Sequence, residues 1–278
     1  MKSTLPVLDT PCKPRTTWVD ELVERGIDRD AVWRRVPEAR KASTADLGFS
    51  SLFTIDRDPK TRKSNKKGVY RTAIMYLLPG KVVCPDASPG CLKGCLNTAG
   101  IPYQLKGKLR ARRGRVELLR TDPELFMARL LVELQRLMRQ CRRLGVKPAV
   151  RLNGTSDIPW EKIVPWLFSE WRDVQFYDYT KTLDRVWSVP ANYWLTLSRS
   201  ETNDAEVRNA LLAGYTVAVV VDKEAYKEMP ESWGIYDTCD GDADDLIFLR
   251  EKPVQLLKAK GKARTDDTGF VLGLGDFR

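Results

Sequence analysis

The apolar positions of the chain form short runs that alternate with longer amphipathic stretches from about residue 71 onward. Short apolar runs bounded by turn residues are typical of buried strands, whereas the stretch 121–145 repeats its apolar positions at helical spacing. Thr121 or Asp122 can cap this helix, and Gly145 follows its last turn. We predict strands over 71–78, 148–154, 173–180, 192–198, 215–222, 244–249 and 253–261, and helices over 121–145, 159–171 and 204–214.

Strands that alternate with helices indicate parallel βαβ units. The sequence therefore predicts an α/β protein with a complete or partial (β/α) barrel of the TIM-barrel type. An open doubly wound sheet is the competing interpretation, but no Gly-x-Gly-x-x-Gly loop follows the first strand. Helical spacing over 17–27 and 29–36 predicts a mostly helical N-terminal extension with a basic loop. We accordingly divide the chain into residues 1–70 and a barrel-like catalytic domain, residues 71–278.

Length and composition agree with a globular protein. The chain has 278 residues, of which 42% are hydrophobic and 30% are charged. The N-terminal residues lack the apolar segment of a secretory signal, and no apolar run approaches the ~18 residues of a membrane span. We therefore expect a cytoplasmic protein with no membrane partner. In such a reducing compartment, clustered cysteines indicate metal binding or catalysis rather than disulfides.

The net charge of +10 is concentrated in two segments. Residues 57–71 and residues 106–120 each hold seven basic residues and one acidic residue. Lys and Arg bind polyanions by releasing counterions from phosphates, which predicts a nucleic acid or phosphorylated ligand as partner, although two solvated loops would have the same composition. The candidate nucleic-acid contacts are Arg62, Lys63, Lys66, Lys67, Arg110, Arg112, Arg113 and Arg115.

Three of the six cysteines lie in the loop that follows the first predicted strand. Cys84, Cys91 and Cys95 have the spacing C-x6-C-x3-C, and the chain has no histidine. A closed zinc site would need a fourth ligand, for which Cys239 is the best candidate thiol. Three nearby thiolates instead suit a [4Fe–4S] cluster that keeps one iron open to another ligand. We expect an iron–sulfur cluster, with zinc or a loop of free thiols as the alternatives.

Polar residues follow successive predicted strands at their carboxyl ends. These ends share one face of a parallel barrel, so the loops are expected to converge on one site, although turns use the same residue types. Without histidine, acid–base chemistry falls to carboxylates, Lys, Tyr or Cys, and we expect Asp157, Asp178 and Lys181 to be catalytic. Arg151 either clamps an anion or forms an interior ion pair with Asp178. Candidate cofactor-binding residues are Asn153, Ser198, Arg199, Ser200, Asn203, Asp240, Asp242 and Lys258.

Five motifs resemble a bacteriophage family, the gene product 88 family, over roughly residues 70–272. They are CPDASPGCLKGCLNTAG, PAVRLNGTSDIPWEKI, VQFYDYTK, NYWLTLSRSETN and LKAKGKARTDDTGFV. The resemblance implies a phage protein in the cytoplasm of an infected host cell and carries no specific activity. The cysteine loop is also similar, more weakly, to phage radical-SAM-like barrel proteins with a C-x6-C-x2-C loop. That similarity implies an iron–sulfur cluster, with S-adenosylmethionine as a further candidate cofactor.

Together these features favour a phage-encoded metal enzyme, with an iron–sulfur cluster, acting on a nucleic acid, a nucleotide or another phosphorylated substrate. One alternative is an enzyme resembling base transglycosylases, with Asp157 and Asp178 as nucleophile and general base. The other is a nucleic-acid-binding phage protein without catalytic activity, whose cysteines staple a loop as thiols or through zinc. The oligomeric state is not predicted.

Overall fold

The computed structural model describes residues 16–99 and 102–277, and the side chains of residues 102–105 are not described. Cys12 and the start of the predicted extension lie outside these ranges. The strands are β1 (Phe53–Thr54), β2 (Tyr70–Met75), β3 (Lys147–Arg151), β4 (Gln175–Thr180), β5 (Tyr193–Ser198), β6 (Val217–Val221), β7 (Ser232–Trp233), β8 (Tyr236–Asp240) and β9 (Val254–Lys258). The helices are α1 (Trp18–Arg25), α2 (Arg29–Lys41), α3 (Thr44–Leu47), α4 (Pro59–Lys66), α5 (Pro89–Lys93), α6 (Pro102–Thr121), α7 (Pro123–Leu144), α8 (Trp160–Ile163), α9 (Pro165–Glu170), α10 (Leu183–Trp187), α11 (Asp204–Leu212) and α12 (Lys223–Glu228).

The strands form one mixed sheet in the order β1-β2-β3-β4-β5-β6-β9-β8-β7. The seven strands from β2 to β8 in this order are parallel, and β1 and β7 pair antiparallel at the two edges. The α/β class and the mostly parallel sheet are therefore confirmed. No pairing between described strands joins the two edges, so the sheet is open and the predicted complete barrel is not formed.

The open sheet nevertheless curves around the segment 241–249. The ring of Phe248 contacts Tyr70 on β2 and Tyr177 on β4, and the carbonyl oxygen of Ile247 accepts a hydrogen bond from Gln255 on β9. In a flat sheet β2 and β9 would stand about 24 Å apart, five strand spacings. One short segment reaches both, so its side of the sheet is concave.

Helix α4 lies between the two ends of the curved sheet. It packs against β2, and the hydroxyl of its Ser64 accepts a hydrogen bond from the Asp245 backbone, 2.9 Å away. Lys60 and Lys63 donate to the carbonyl oxygens of Gly241 and Asp242 beyond β8. A helix and a loop thus occupy the position that further strand pairing would take in a closed barrel.

The longest helix, α7, begins and ends where its sequence signals predict. The Asp122 side chain accepts from the Leu125 backbone, Pro123 occupies the first turn, and Gly145 adopts a left-handed conformation with φ 65°. Its apolar face packs on β2 and β3. The predicted helix over 159–171 is present as α8 and α9, which are separate helices because Pro165 cannot continue α8.

Three stretches differ from their sequence-based predictions. The predicted basic loop of the N-terminal extension contains helix α4, because Asp58 caps it and Pro59 occupies its first turn. The predicted strand 244–249 is a turn followed by a 3-10 helix, because the side chain of Asp244 accepts from the Leu246 backbone and Ile247 packs on the concave face. The strand that pairs with β9 from this part of the chain is β8, which lies just before the predicted one. The basic stretch 106–120 is part of helix α6 rather than a loop, since Lys and Arg are good helix formers and Leu119 is buried.

The N-terminal helices share a hydrophobic core with the rest of the chain. A buried ion pair on α7 ties them down: Arg129 donates to the carbonyl oxygens of Ala39 and Ser50, and Glu133 accepts from the backbone of Leu52 at 2.8 Å. The division at residue 70 therefore does not separate two cores. Within the described ranges, every helix is too short or too polar to cross a membrane.

Candidate metal centre at the carboxyl ends of the strands

The three clustered cysteines lie in the segment 76–99, which runs from β2 towards α6. We call this segment the cysteine loop. Two hydrogen bonds fix it to the loop after β3: Asp157 donates from its backbone to the Val83 carbonyl oxygen at 2.7 Å, and the Thr155 hydroxyl donates to the Leu77 carbonyl oxygen at 2.6 Å. The cysteine loop thus lies across the carboxyl ends of the parallel strands, where the sequence places it.

Glu201, which follows β5, holds the middle of the cysteine loop. Its carboxylate accepts from the Ser88 hydroxyl and from the Gly90 backbone, each at 2.6 Å. A Cβ atom at Gly90 would stand 2.2 Å from the Thr268 hydroxyl and 2.6 Å from Phe270 Cβ, so only glycine fits. Sequence reasoning missed Glu201, although it stands within the polar SRSETN motif after a strand.

The three thiols are half-buried and close enough to influence one another. Burial raises the pKa of Cys84 to about 12, and the neighbouring charges of Asp157, Cys91 and Cys95 act in the same direction. Burial also raises the pKa of Cys95. Burial therefore favours the protonated form of Cys84 and Cys95, and a bound metal would favour their thiolates.

Cys239 is not a fourth member of this group. It lies on β8, and the charged groups that act on it are Arg250, Lys252 and Asp240 rather than the other thiols. In the described parts of the chain, no three Cys, Asp or Glu side chains are arranged around a point that one metal ion could occupy. The proposal that Cys239 completes a zinc site is therefore not supported.

Two basic side chains from different elements approach the cysteine loop. Arg112 of α6 donates to the amide oxygen of Asn97, and its guanidinium lies 4.8 Å from the ring centre of Tyr76. The Lys181 ammonium, at the end of β4, donates to the Ser198 hydroxyl at 2.5 Å and lies 5.4 Å from the ring centre of Phe270. Both positive charges lower the pKa of Cys95 against the effect of burial.

Asp157, a predicted catalytic residue, is held in a buried ion pair. One carboxylate oxygen accepts from Arg185, and the other accepts from the Lys181 backbone at 2.8 Å and the Thr180 hydroxyl at 3.2 Å. Arg185 also pairs with Glu161 at 2.8 Å. Because both oxygens of Asp157 already accept hydrogen bonds, this geometry favours positioning of the strand ends over direct attack on a substrate.

Asp178, the second predicted catalytic carboxylate, is fully buried. It accepts from the Asn153 backbone at 2.7 Å and from the Tyr193 hydroxyl at 2.9 Å. Burial raises its pKa to about 7. Arg185 lies 3.4 Å from the Tyr193 hydroxyl, so Asp157, Arg185, Tyr193 and Asp178 form one connected set, which we call the buried network. Asn153 belongs to the same region, since its amide closes the turn that ends at Ile158.

Arg151 forms interior ion pairs, which is one of the two roles that the sequence predicts for it. Its guanidinium lies 3.3 Å from Asp245 and 3.8 Å from Asp178, with the Tyr179 ring centre 4.6 Å away. Asp245 also accepts from the Tyr177 hydroxyl at 2.7 Å. The Asp178 pairing that the sequence suggests is present, and Asp245 is a second partner that it did not suggest.

The polar residues after β5 mainly build the turn that leads into α11. The Asn203 side chain accepts from the Ser200 backbone at 2.7 Å and donates to the Ser198 carbonyl oxygen at 3.1 Å. Arg199 pairs with Asp204 at 2.9 Å and donates to the Gly269 carbonyl oxygen. Of this group, Ser198 and the carbonyl oxygen of Arg199 contact a predicted catalytic residue, Lys181.

The predicted ligand-binding residues of β8 and β9 stand apart from the cysteine loop. Asp242 lies between Lys60 at 2.8 Å and Lys260 at 2.9 Å, and these charges lower its pKa although burial acts to raise it. Asp240 accepts from the Tyr226 hydroxyl, and Lys258 lies over the Tyr226 ring. Their partners are all internal.

The predicted nucleic-acid contacts divide into exposed and buried residues. Arg115 is 8% exposed and donates to the carbonyl oxygens of Ser51 and Tyr76, so it is a structural residue and cannot contact a polyanion. Arg112 is half-buried at the cysteine loop. Lys63 and Lys67 reach Asp242 and Asp244 while staying exposed. The remaining exposed candidates are Arg62, Lys66, Arg110 and Arg113.

A second concave region lies at the opposite end of the sheet. It is lined by residues at the start of β3 and β4, including Lys147, Pro148 and Gln175, together with Cys141 and Arg142 of α7. Conserved chemistry in parallel α/β folds concentrates at the carboxyl ends of strands, so this amino-end groove is not the candidate centre. The cysteine loop defines the site.

Comparison with known proteins identifies the family of the chain. Residues 51–272 match the family described as Gene product 88. Neither a curated protein nor a solved structure matches the chain. The weaker similarity of the cysteine loop to radical-SAM-like barrel proteins has no support from these comparisons. The expected bacteriophage family is confirmed over most of the sequence: the chain belongs to the Gene product 88 family.

Proposed function

We propose that this protein is a phage-encoded metalloenzyme whose iron–sulfur cluster binds to Cys84, Cys91 and Cys95. Its substrate would be a nucleic acid, a nucleotide or another phosphorylated molecule. The observation that carries the proposal is the position of the three thiols, which share one loop across the carboxyl ends of parallel strands. Active sites of parallel α/β folds lie at these ends.

The donor set has the chemistry of a cluster site. Three thiols share one loop and influence one another, and cysteine thiolates are the usual ligands of an iron–sulfur cluster. When bound, it would supply electron transfer and an open iron for a further ligand.

The residues of the chain would hold and shape this site. Glu201 and the loop after β3 fix the cysteine loop, and the buried network sets the positions of β3, β4 and β5 beneath it. Lys181 brings an ammonium group to the open side of the site. S-adenosylmethionine remains a prediction that rests on the loop similarity alone.

The proposal is tested by elemental analysis of protein purified without oxygen. We expect iron and sulfide in stoichiometric amounts, and their loss in Cys84→Ser, Cys91→Ser and Cys95→Ser. Cys239→Ser is the matched control and should keep both, because that thiol lies away from the loop. Colourless, iron-free protein with one zinc per chain would overturn the iron–sulfur assignment, and metal-free protein would remove the metal centre altogether.

A nucleic-acid-binding protein without catalytic activity is the second candidate. It is favoured by the exposed basic residues on α4 and α6, and by the internal hydrogen bonds that occupy Asp157 and Asp178. The same occupancy weakens the transglycosylase alternative, since a nucleophile and a general base must reach the substrate. Steep loss of nucleic-acid affinity with salt, in protein that binds no metal, would favour this second candidate.

A further inference from the structure

Arg112 and Lys181 are the basic residues beside the cysteine loop whose described partners at the carboxyl ends are neutral, and Lys258, which lies over the Tyr226 ring, stands apart from this loop. Arg112 contacts the Asn97 amide and the Tyr76 ring, and Lys181 contacts the Ser198 hydroxyl, two carbonyl oxygens and the Phe270 ring. Across residues 16–99 and 102–277, no carboxylate lies within salt-bridge distance of either side chain.

Neighbouring basic residues show the usual arrangement. Arg185 pairs with Asp157 and Glu161, Arg151 with Asp245, and both Lys60 and Lys260 with Asp242. Arg115 also has carbonyl partners, but it is 8% exposed and too buried to contact a ligand, whereas Arg112 and Lys181 are half-buried. Arg112 makes one hydrogen bond to the described residues, from one of its three guanidinium nitrogens.

The carboxylates of Asp58 and Asp157, which lie in the same region, accept hydrogen bonds from other groups. Asp58 acts on Arg112 from beyond ion-pair distance, while it accepts from the Tyr76 hydroxyl at 3.0 Å and the Lys60 backbone at 2.8 Å. Asp157 is held by Arg185. A partly buried cation without a counter-charge is costly, and an anionic ligand relieves that cost.

Both cations also approach the cysteine loop, although one comes from α6 and the other from the end of β4. Arg112 donates to Asn97, two residues after Cys95, and Lys181 lies over the ring of Phe270, whose Cβ borders Gly90 of the loop. Both positive charges act on the Cys95 thiol. A group bound between them would therefore lie beside the proposed metal centre. Arg and Lys together recognise phosphate oxygens, the Arg through paired N–H donors and the Lys as a point charge.

We infer that Arg112 and Lys181 form a phosphate-binding subsite beside Cys95, which holds a phosphate group of a nucleotide or nucleic-acid substrate. This inference rests on the proposed function for the identity of the neighbouring centre, but the binding itself does not require the metal. The exposed residues Arg110 and Arg113 would then contact further phosphates only when the substrate is a strand.

Calorimetric titration of the full chain, purified without oxygen and held at constant ionic strength, tests the subsite. The probes are inorganic pyrophosphate, adenosine monophosphate and a short single-stranded DNA. We expect at least one probe to bind, and Arg112→Gln and Lys181→Met each to weaken it at least about tenfold, the effect of losing one charged hydrogen bond. Arg208→Gln and Lys227→Met, which change the same charge at exposed positions outside every candidate site, should alter the affinity less than about twofold.

The charge-conserving variants Arg112→Lys and Lys181→Arg guard against loss of folding and should keep most of the binding. Response to adenosine monophosphate identifies a mononucleotide-type phosphate, whereas response to DNA alone, weakened also by Arg110→Gln, identifies a strand. No binding of any probe, or equal weakening by the control variants, overturns the subsite. Iron measured on the same samples separates the two proposals, because iron without phosphate binding overturns the subsite alone and phosphate binding without iron overturns the metal centre alone.

Discussion

Two groups of charged residues lie side by side at the carboxyl ends of the strands, and they differ in how their charges are paired. In the buried network, Asp157 and Asp178 have internal donors on every carboxylate oxygen, and Arg185 pairs with two acids. Beside the cysteine loop, Arg112 and Lys181 have neutral partners. Full pairing is what a structural role requires, whereas an unpaired, partly buried charge indicates a place for a ligand.

The two groups also differ in how well the sequence predicted their roles. Acidic residues after strands suggested catalysis for Asp157 and Asp178, but each of their carboxylate oxygens already accepts a hydrogen bond from a neighbour. Arg112 was grouped with exposed basic residues, yet it is half-buried and donates to Asn97, two residues after Cys95. Residue type and position after a strand do not show whether a charge is already neutralised.

Breaking the buried network should have the largest effect. Arg185→Met removes the positive charge between Asp157 and Glu161, which leaves two buried carboxylates without their partner. We expect the free energy of unfolding to fall by about 3–5 kcal/mol, measured by urea denaturation at neutral pH. Arg172→Met, which changes an exposed arginine, should stay within about 0.5 kcal/mol of the parent. Equal stability of the two variants would show that the network is not structural.

Asp178 should make the stability of the protein depend on pH. Its pKa rises from 3.8 to about 7 on folding, because burial disfavours the charged form. The folded state therefore binds the proton more tightly, and this contribution is present below pH 4 and is lost as the pH rises towards 7. Asp178→Asn does not titrate, so its stability relative to the parent should increase by up to about 4 kcal/mol over this window.

Thermal unfolding followed between pH 4 and pH 8 checks the behaviour of Asp178. Asp173→Asn is the control, since that carboxylate is exposed and should leave the pH profile of the parent unchanged. Parallel profiles for the parent and Asp178→Asn would mean that Asp178 is charged throughout, and would place it among the ionised members of the site.

A change in the packing of the cysteine loop should have a moderate effect. Gly90→Ala places a methyl group 2.2 Å from the Thr268 hydroxyl, so the loop must move away from residues 268–270. We expect a loss of about 1–3 kcal/mol in stability, together with faster alkylation of Cys91 and Cys95. Gly80→Ala in the same loop meets no atom within 4 Å and is the matched control. Unchanged alkylation in Gly90→Ala would mean that the loop is not held against these residues.

We expect the smallest effects from exposed and buried arginines of α6, which should change different properties when they are replaced. Arg113 is exposed, so Arg113→Gln should leave stability unchanged and reduce the salt dependence of nucleic-acid binding by about one unit of log–log slope. Arg115→Gln should leave the slope unchanged and lower stability by about 1–3 kcal/mol, because the Ser51 and Tyr76 carbonyl oxygens lose their donors. Binding titrations at several salt concentrations check both. An altered slope for Arg115→Gln would contradict its buried position.

The sequence by itself determined the elements whose signals are local. The caps of α7, the break at Pro165 and the alternation of strands with helices depend on residues close along the chain, and they are present as predicted. Parallel strands place their carboxyl ends together, so the position of the cysteine loop at these ends was also predictable.

Only the tertiary structure decided features that depend on residues far apart in sequence. The apolar run at 244–249 packs on the concave face instead of pairing as a strand, and α4 takes a place between the sheet ends. Arg185 neutralises Asp157 across 28 residues, and Glu201 holds Ser88 across 113 residues. No local pattern marks either pair. The free energy of burying a charged side chain depends on which opposite charges lie next to it, and the fold as a whole determines these neighbours.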